Sequence, residues 1–204
     1  ILYYFYMFYY LKASWIWMRR LTHCRGFGVQ SPSAYRFIRY VINEHYPYYA
    51  YDALKERMNK LSKHEQKLGR LFFRLANFWQ PVCCYCDDSS LMEYALAGAR
   101  NMKQFSVSDF MLQYLRCSDV SCIPDDSRLL VWIDSDVYGN EMEEILKNCH
   151  SQTLLVVNNI RRKNHRLWKE IQENELVGIT FHLYYCGIVF FDKSVYKQHY
   201  EVNF

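Results

Sequence analysis

The chain has 204 residues, 51% of them hydrophobic and 23% charged, with a formal net charge of +4. That size and balance fit one domain with a helical appendage, and exclude a disordered tail, a collagen-like chain and a supercharged nucleic-acid binder. Aromatic residues reach 18% against only 7 Gly and 4 Pro, so a large core is available and few tight turns are specified locally.

The first segment, Ile1 to Met18, is apolar apart from a break at Lys12-Ala13-Ser14, and Arg19 and Arg20 follow it. As a helix it would reach about 27 Å, just short of a bilayer core. Three readings stay open: an aromatic helix packed on the domain or on a second subunit, as in a homodimer; an interfacial helix on a membrane surface; and a transmembrane span. Lys12 near the middle and the tyrosine hydroxyls weigh against the span. No basic n-region or small-residue cleavage site marks a signal peptide.

Residues 22–81 read as a helical cap region. Gly26 and Gly28 break regularity, and Ser31-Pro32-Ser33 starts a helix with Ser31 as N-cap. Tyr35, Phe37, Ile38, Val41 and Ile42 give it an apolar face, and Pro47 ends it in the aromatic cluster Tyr46 to Tyr51. Asp52 caps the next helix, carrying Leu54, Met58 and Leu61. Ser62-Lys-His-Glu65 is a capping box that restarts it. Leu68, Leu71, Phe72 and Leu75 continue the stripe until Pro81.

From residue 82 to 204 short apolar runs alternate with helical stretches. Strands are expected at Val82–Cys86, Gln104–Val107, Leu129–Ile133 and Thr153–Val157. Helices are expected at Ser89–Arg100, Phe110–Arg116, Glu141–Asn148 and Asn164–Glu173. Ile179–Tyr185 and Ile188–Phe191 form a hairpin around a turn at Cys186-Gly187. The alternation predicts an α/β fold: a doubly wound, Rossmann-like, mostly parallel sheet with an antiparallel C-terminal hairpin, preceded by an N-terminal helical region.

Eight cysteines are present. A chain this long needs no staples, and Cys83, Cys84 and Cys86 fall in a buried strand. Free, buried thiols in a reducing cytoplasm are expected. Zinc is the alternative, on those three with Cys117 and Cys122, but Cys117 and Cys122 are not spaced C-x2-C, so the paired spacing of zinc sites is missing.

In an open parallel sheet, ligands bind at the carboxyl ends of the strands. That rule selects Asp87, Asp88, Ser89 and Ser90 after the first strand, and Asp109 after the second. It adds Asp134, Ser135, Asp136 and Tyr138 after the third, and Asn158 and Asn159 after the fourth. For any one position helix capping is the plainer role; the set as a whole reads as a ligand site. Asp109, 23 positions past Cys86, stands where an acid commonly takes ribose hydroxyls. Other candidates read as structural: the scattered histidines, including His182; Cys86 as a nucleophile, which lacks a histidine partner; Arg161, Arg162 and Lys163 as a solvated basic run; and Tyr46 to Tyr51 with Trp79 as core aromatics.

The segment Leu129-Leu-Val-Trp-Ile-Asp134-Ser-Asp136-Val-Tyr138, followed by Leu154-Leu-Val-Val-Asn158-Asn159-Ile160, resembles class I S-adenosylmethionine-dependent methyltransferases, in particular the catechol and caffeoyl-CoA O-methyltransferase-like branch. The closing stretch Thr180 to Asp192 is similar to that fold's final antiparallel pair. Gly26 to Pro32, Tyr40 to Tyr51, Arg70 to Pro81 and the hairpin resemble a bacterial group of uncharacterised methyltransferase-like proteins. The resemblance implies methyl transfer from S-adenosylmethionine to an oxygen or nitrogen of a small acceptor; the small, dispersed net charge of +4 separately argues against a nucleic-acid partner. It implies Asp87, Asp88, Asp109 and Asp134 around the cofactor, with Asp109 on its ribose. It implies Asp134 and Asn159 as catalytic groups, and Asp134, Asn158 and Asn159 as ligands of a divalent metal such as Mg2+. Two departures stand out. No Gly occurs between Gly69 and Gly98, where the first strand should lead into a Gly-rich turn, and Asn158 replaces an expected Asp. A methyltransferase-like scaffold that binds without catalysis is therefore the alternative. A third reading is a cytoplasmic protein held at a membrane by residues 1–20.

Overall fold

The computed structural model describes residues 11, 14–15, 18–21, 26, 28–57, 61–112, 127–160, 164–194 and 196–204. The chain divides into two compact units, one of residues 1–44 with 201–204 and one of residues 45–200.

In the first unit, Ser31 caps helix α1 (Pro32–Phe37), its hydroxyl accepting the Ala34 N–H at 3.4 Å. The helix continues as a π-helical turn over Ile38–Ile42, closed by Asn43 N–H donating to the Ile38 carbonyl at 2.9 Å. Helical structure thus stops five residues before Pro47. Phe37, Ile38, Val41 and Ile42 of the predicted apolar face are buried, whereas Tyr35 is 41% exposed. Gly26 has φ +74, and a Cβ there would lie 2.8 Å from the Tyr35 ring, so both backbone and space require glycine.

The second unit is α/β. Helix α2 (Tyr49–Arg57) carries Asp52 in its first turn rather than at its N-cap. The predicted capping box opens helix α3 (Lys63–Trp79): Glu65 N–H donates to the Ser62 hydroxyl at 3.2 Å, and Ser62 N–H to the Glu65 carboxylate at 2.7 Å. Gln80, left-handed at φ 47, ends α3 one residue before Pro81.

There follow β1 (Cys83–Tyr85), α4 (Ser89–Gly98), β2 (Lys103–Phe105), α5 (Val107–Leu112), β3 (Leu129–Asp134), α6 (Ser135–Tyr138), α7 (Met142–Lys147), β4 (Thr153–Asn158), α8 (His165–Glu173), β5 (Ile179–His182), β6 (Cys186–Phe190) and β7 (Gln198–Glu201). The sheet runs β2-β1-β3-β4-β6-β5-β7. The pairs β1–β2, β1–β3 and β3–β4 are parallel, while β4–β6 and β5–β6 are antiparallel. The mixed sheet, its parallel part and its antiparallel C-terminal hairpin agree with the sequence reading. The chain leaves β1 toward β2 on one side and returns to β3 on the other, so a crevice is expected at the carboxyl ends of β1 and β3.

Period-two burial explains the layers. Cys83, Tyr85, Val131, Ile133, Leu155, Val157 and Val189 share one core cluster with Val107 and Phe110 of α5, Ile145 of α7, and Trp168 and Ile171 of α8. On alternate positions, Trp132 meets Phe72 of α3 at 4.9 Å between ring centroids. β3 and β4 are buried along nearly their whole length, the mark of parallel strands covered on both faces.

The hairpin differs from the sequence reading. Its turn lies over Leu183 to Tyr185, with Tyr184 at φ 79 and Leu183 N–H donating to the Cys186 carbonyl at 2.9 Å. Gly187 sits inside β6. It is glycine because Trp168 lies flat on it: a Cβ would fall 2.2 Å from the indole ring. The sequence reading also missed β7 and the short α6.

Candidate functional site

The strand-end carboxylates are all engaged by other groups of the protein. Asp88 caps α4, its Oδ1 accepting the Ser90 and Leu91 N–H groups at 2.8 and 3.1 Å. Asp109 closes a capping box at the start of α5. Its Oδ2 accepts the Ser106 N–H at 3.0 Å and the Ser106 hydroxyl at 2.7 Å, and its own N–H donates back to that hydroxyl at 3.2 Å. Asp134 caps α6, accepting the Asp136 N–H at 2.9 Å. These are the ordinary services of an N-cap, which satisfies amides that a helix start leaves without partners.

Asp87 does something else. Its Oδ1 accepts the Val107 N–H at 2.9 Å, and its Oδ2 accepts the Tyr138 hydroxyl. Asp87 follows β1, Val107 follows β2, and Tyr138 follows β3. One carboxylate therefore ties three strand ends together across the switch point. Burial, then the bond to Asp87, pushes the Tyr138 phenol up to about 12, so it stays protonated and donating at neutral pH.

A second knot forms at the ends of β3 and β4, where Asp134 and Asn158 face each other in register. Asn158 Nδ2 donates to Asp134 Oδ2 at 3.2 Å, and Asn159 Nδ2 straddles both oxygens at 3.1 and 3.0 Å. Asn159 sits at φ 57, a left-handed backbone that Asn tolerates better than most residues. Asn164, ahead of α8, reaches back to the Ser135 hydroxyl and the Asp136 carboxylate, both at 2.9 Å. A cleft of about 670 Å³ opens beside this knot, lined by Ser135, Asp136, Asn140, Asn164, Arg166 and Glu170 among others. Arg166 and Glu170, one turn apart on α8, pair along its wall at 2.9 Å. Sequence reasoning missed Asn164, Arg166 and Glu170. All three read locally as helix-start and surface residues, and only the return of the chain beside β3 makes them a wall.

The metal set fits poorly. A carboxylate only accepts, so both asparagines must turn their NH2 groups toward Asp134 and their carbonyls away. A divalent cation would need those carbonyls turned inward. Among the described residues no three His, Cys, Asp or Glu side chains gather as a metal-binding group.

The remaining candidates resolve as packing. Cys83, Cys84, Cys86, Cys149 and Cys186 are free thiols. Burial pushes Cys86 up to about 12 and Cys84 well above its ordinary value, which disfavours the thiolate that a nucleophile needs. Cys117 and Cys122, and Arg161 to Lys163, lie outside the described residues. Tyr48 and Tyr51 pack on Phe73 at 5.0 and 5.1 Å between centroids, while Tyr46 and Tyr49 face solvent. The Trp79 indole donates to the Leu129 carbonyl at 3.0 Å. His182 accepts the Tyr184 N–H at 3.3 Å and meets the Trp168 ring edge-on. Among the described residues no helix is long and apolar enough to cross a membrane. No protein-family model matches the chain, and no curated protein matches it.

Proposed function

We propose that this chain is a methyltransferase-like α/β protein of the doubly wound, Rossmann-like kind, which works as a binding scaffold rather than as a transferase. The observation that carries this reading is the Asp87 bridge. In a class I methyltransferase-like crevice, the first-strand turn must let its backbone approach the cofactor closely, which is what glycine permits. Here a carboxylate at that turn is spent on Val107 and Tyr138. Asp109, the residue matched to the ribose, is spent on Ser106. Asp134 is covered by two amides.

A second reading keeps the enzyme: transfer of a methyl group from S-adenosylmethionine to a small acceptor. The cleft of about 670 Å³ favours it: it begins at Ser135, the residue after Asp134, is large enough for a small molecule and is lined with amides and carboxylates. In this reading the chain's own part is to bind and orient, with Asp134 and Asn159 on the acceptor side. Proximity and orientation would supply most of the rate.

Calorimetric titration of the folded chain with S-adenosylmethionine and S-adenosylhomocysteine, with and without Mg2+, separates the two. The scaffold reading expects no heat of binding up to millimolar ligand. Micromolar binding weakened by Asp109→Ala would overturn it and establish the enzyme reading.

A further inference from the structure

We propose that the exposed residues Leu11, Trp15, Met18 and Leu21, within a positively charged N-terminal segment, form a docking surface for an anionic lipid bilayer. The segment's charge is lopsided. Residues 1–43 contain six basic residues (Lys12, Arg19, Arg20, Arg25, Arg36, Arg39) and no Asp or Glu. All 21 acidic residues fall later, against 19 basic ones, so the rest of the chain is slightly negative. Within the same segment, nine of the first 17 residues are aromatic. Tyr and Trp are the side chains that settle at the membrane–water boundary, with the ring among acyl chains and the polar atom in the headgroups.

The structure shows an apolar stripe left uncovered there. Leu11 is 59% exposed, Trp15 59%, Met18 53% and Leu21 47%. Leu11, Trp15 and Met18 are each helical, and their spacing of i, i+4 and i+7 is that of one helix face. Arg19, next to that stripe, is exposed, as are Arg36 and Arg39 beside the exposed Tyr35 and Tyr40. Arg20 is directed elsewhere, to Glu201 at 3.6 Å. An apolar face flanked by cations is the pattern of a helix lying in the headgroup layer.

Charge decides between lipid and a second copy. A two-fold dimer sets the same patch against itself. The exposed Arg19, Arg36 and Arg39, with no acid within residues 1–43, would then face their own charge, whereas an anionic leaflet attracts each basic group. The inference does not depend on whether the strand-end crevice binds a cofactor.

The test is flotation of the full chain with vesicles of phosphatidylcholine alone and of phosphatidylcholine mixed with phosphatidylglycerol. The expected result is binding to the mixed vesicles, weaker by at least about tenfold on neutral ones, and falling with added salt. Arg19→Ala should weaken it about fivefold, the factor for one basic side chain near an anionic surface. Trp15→Asp should abolish it with thermal unfolding unchanged, because Trp15 is exposed; if Trp15→Asp does not fold, the Arg19→Ala and salt effects decide. Absence of binding by the folded chain overturns the proposal, as does equal binding to both vesicles. Self-association that Trp15→Asp disrupts, with no vesicle binding, would assign the face to a second copy instead.

Discussion

Tyr138 donates its hydroxyl to the carboxylate of Asp87, a residue fifty-one positions earlier in the chain. Neither is remarkable in sequence. Together they bridge the ends of β1 and β3, and Val107 N–H completes the bridge from β2. Tyr138→Phe should cost about 1–2 kcal/mol, the range for a hydrogen bond to a charged group lowered by the exposure of Asp87. Urea unfolding measures it. In a double-mutant cycle with Asp87→Asn, the two changes should be clearly less than additive, because they remove one interaction. Additive losses would mean the bond contributes nothing.

Asp134 should behave as a structural anchor. Asp134→Ala strands two asparagine amides and uncaps α6, and about 2–3 kcal/mol should be lost. Asn159→Gly should be milder than Asn159→Ala, since glycine accepts φ 57 without strain. The same unfolding measurement ranks the three. A metal role predicts differently: Mg2+ would then raise the melting temperature of the wild type but not of Asp134→Ala.

Gly187 offers a packing test. Alanine there meets the buried Trp168 ring at 2.2 Å. The ring is boxed in by the core, so the strand or the indole must shift. Gly187→Ala should destabilise by about 1–3 kcal/mol, the usual cost of overpacking. Trp168→Leu in the same chain should recover part of that loss by making room. Near-UV circular dichroism would register the displaced indole.

Thiol reactivity checks the cysteine assignment. Burial pushes Cys86 and Cys186 up to about 12 and Cys84 and Cys149 well above their ordinary range. Thiolate is the reacting species. These four should therefore react with a disulfide reagent at neutral pH far more slowly in the folded chain than after unfolding in guanidinium. Rapid labelling of Cys86 in the native protein would revive its nucleophile reading.

His199 sets one pH dependence. Its ring bonds the Thr180 hydroxyl at 2.8 Å, and burial, then the charge of Lys197, lowers its pKa below the ordinary 6.5. The folded state therefore holds this proton more weakly than the unfolded chain. Its stabilising share is complete above about 6.5 and is lost as pH falls through the lowered value. Thermal unfolding should weaken from pH 7 to pH 5, and His199→Gln should flatten that slope. An unchanged slope in the variant would place the sensitivity elsewhere.

Local chemistry alone determined much of the layout. Ser31-Pro32 and the Ser62–Glu65 box mark helix starts because a cap needs only its own neighbours. The apolar runs of β3 and β4 mark buried parallel strands because both faces must be covered. The alternation of strands and helices then sets the mixed sheet and its closing hairpin. What tertiary structure decided was the use of each polar group. Asp87, Asp88, Asp109 and Asp134 are alike in sequence, each an acid at a strand end. Asp88 and Asp134 cap helices, Asp109 closes the capping box of Ser106, and Asp87 bridges strands, since only the folded chain brings Val107 and Tyr138 to Asp87. The same holds for Gly187, a turn residue by its type but a packing residue in fact. Trp168 reaches it only once α8 lies against the sheet, and no spacing along the chain encodes that meeting.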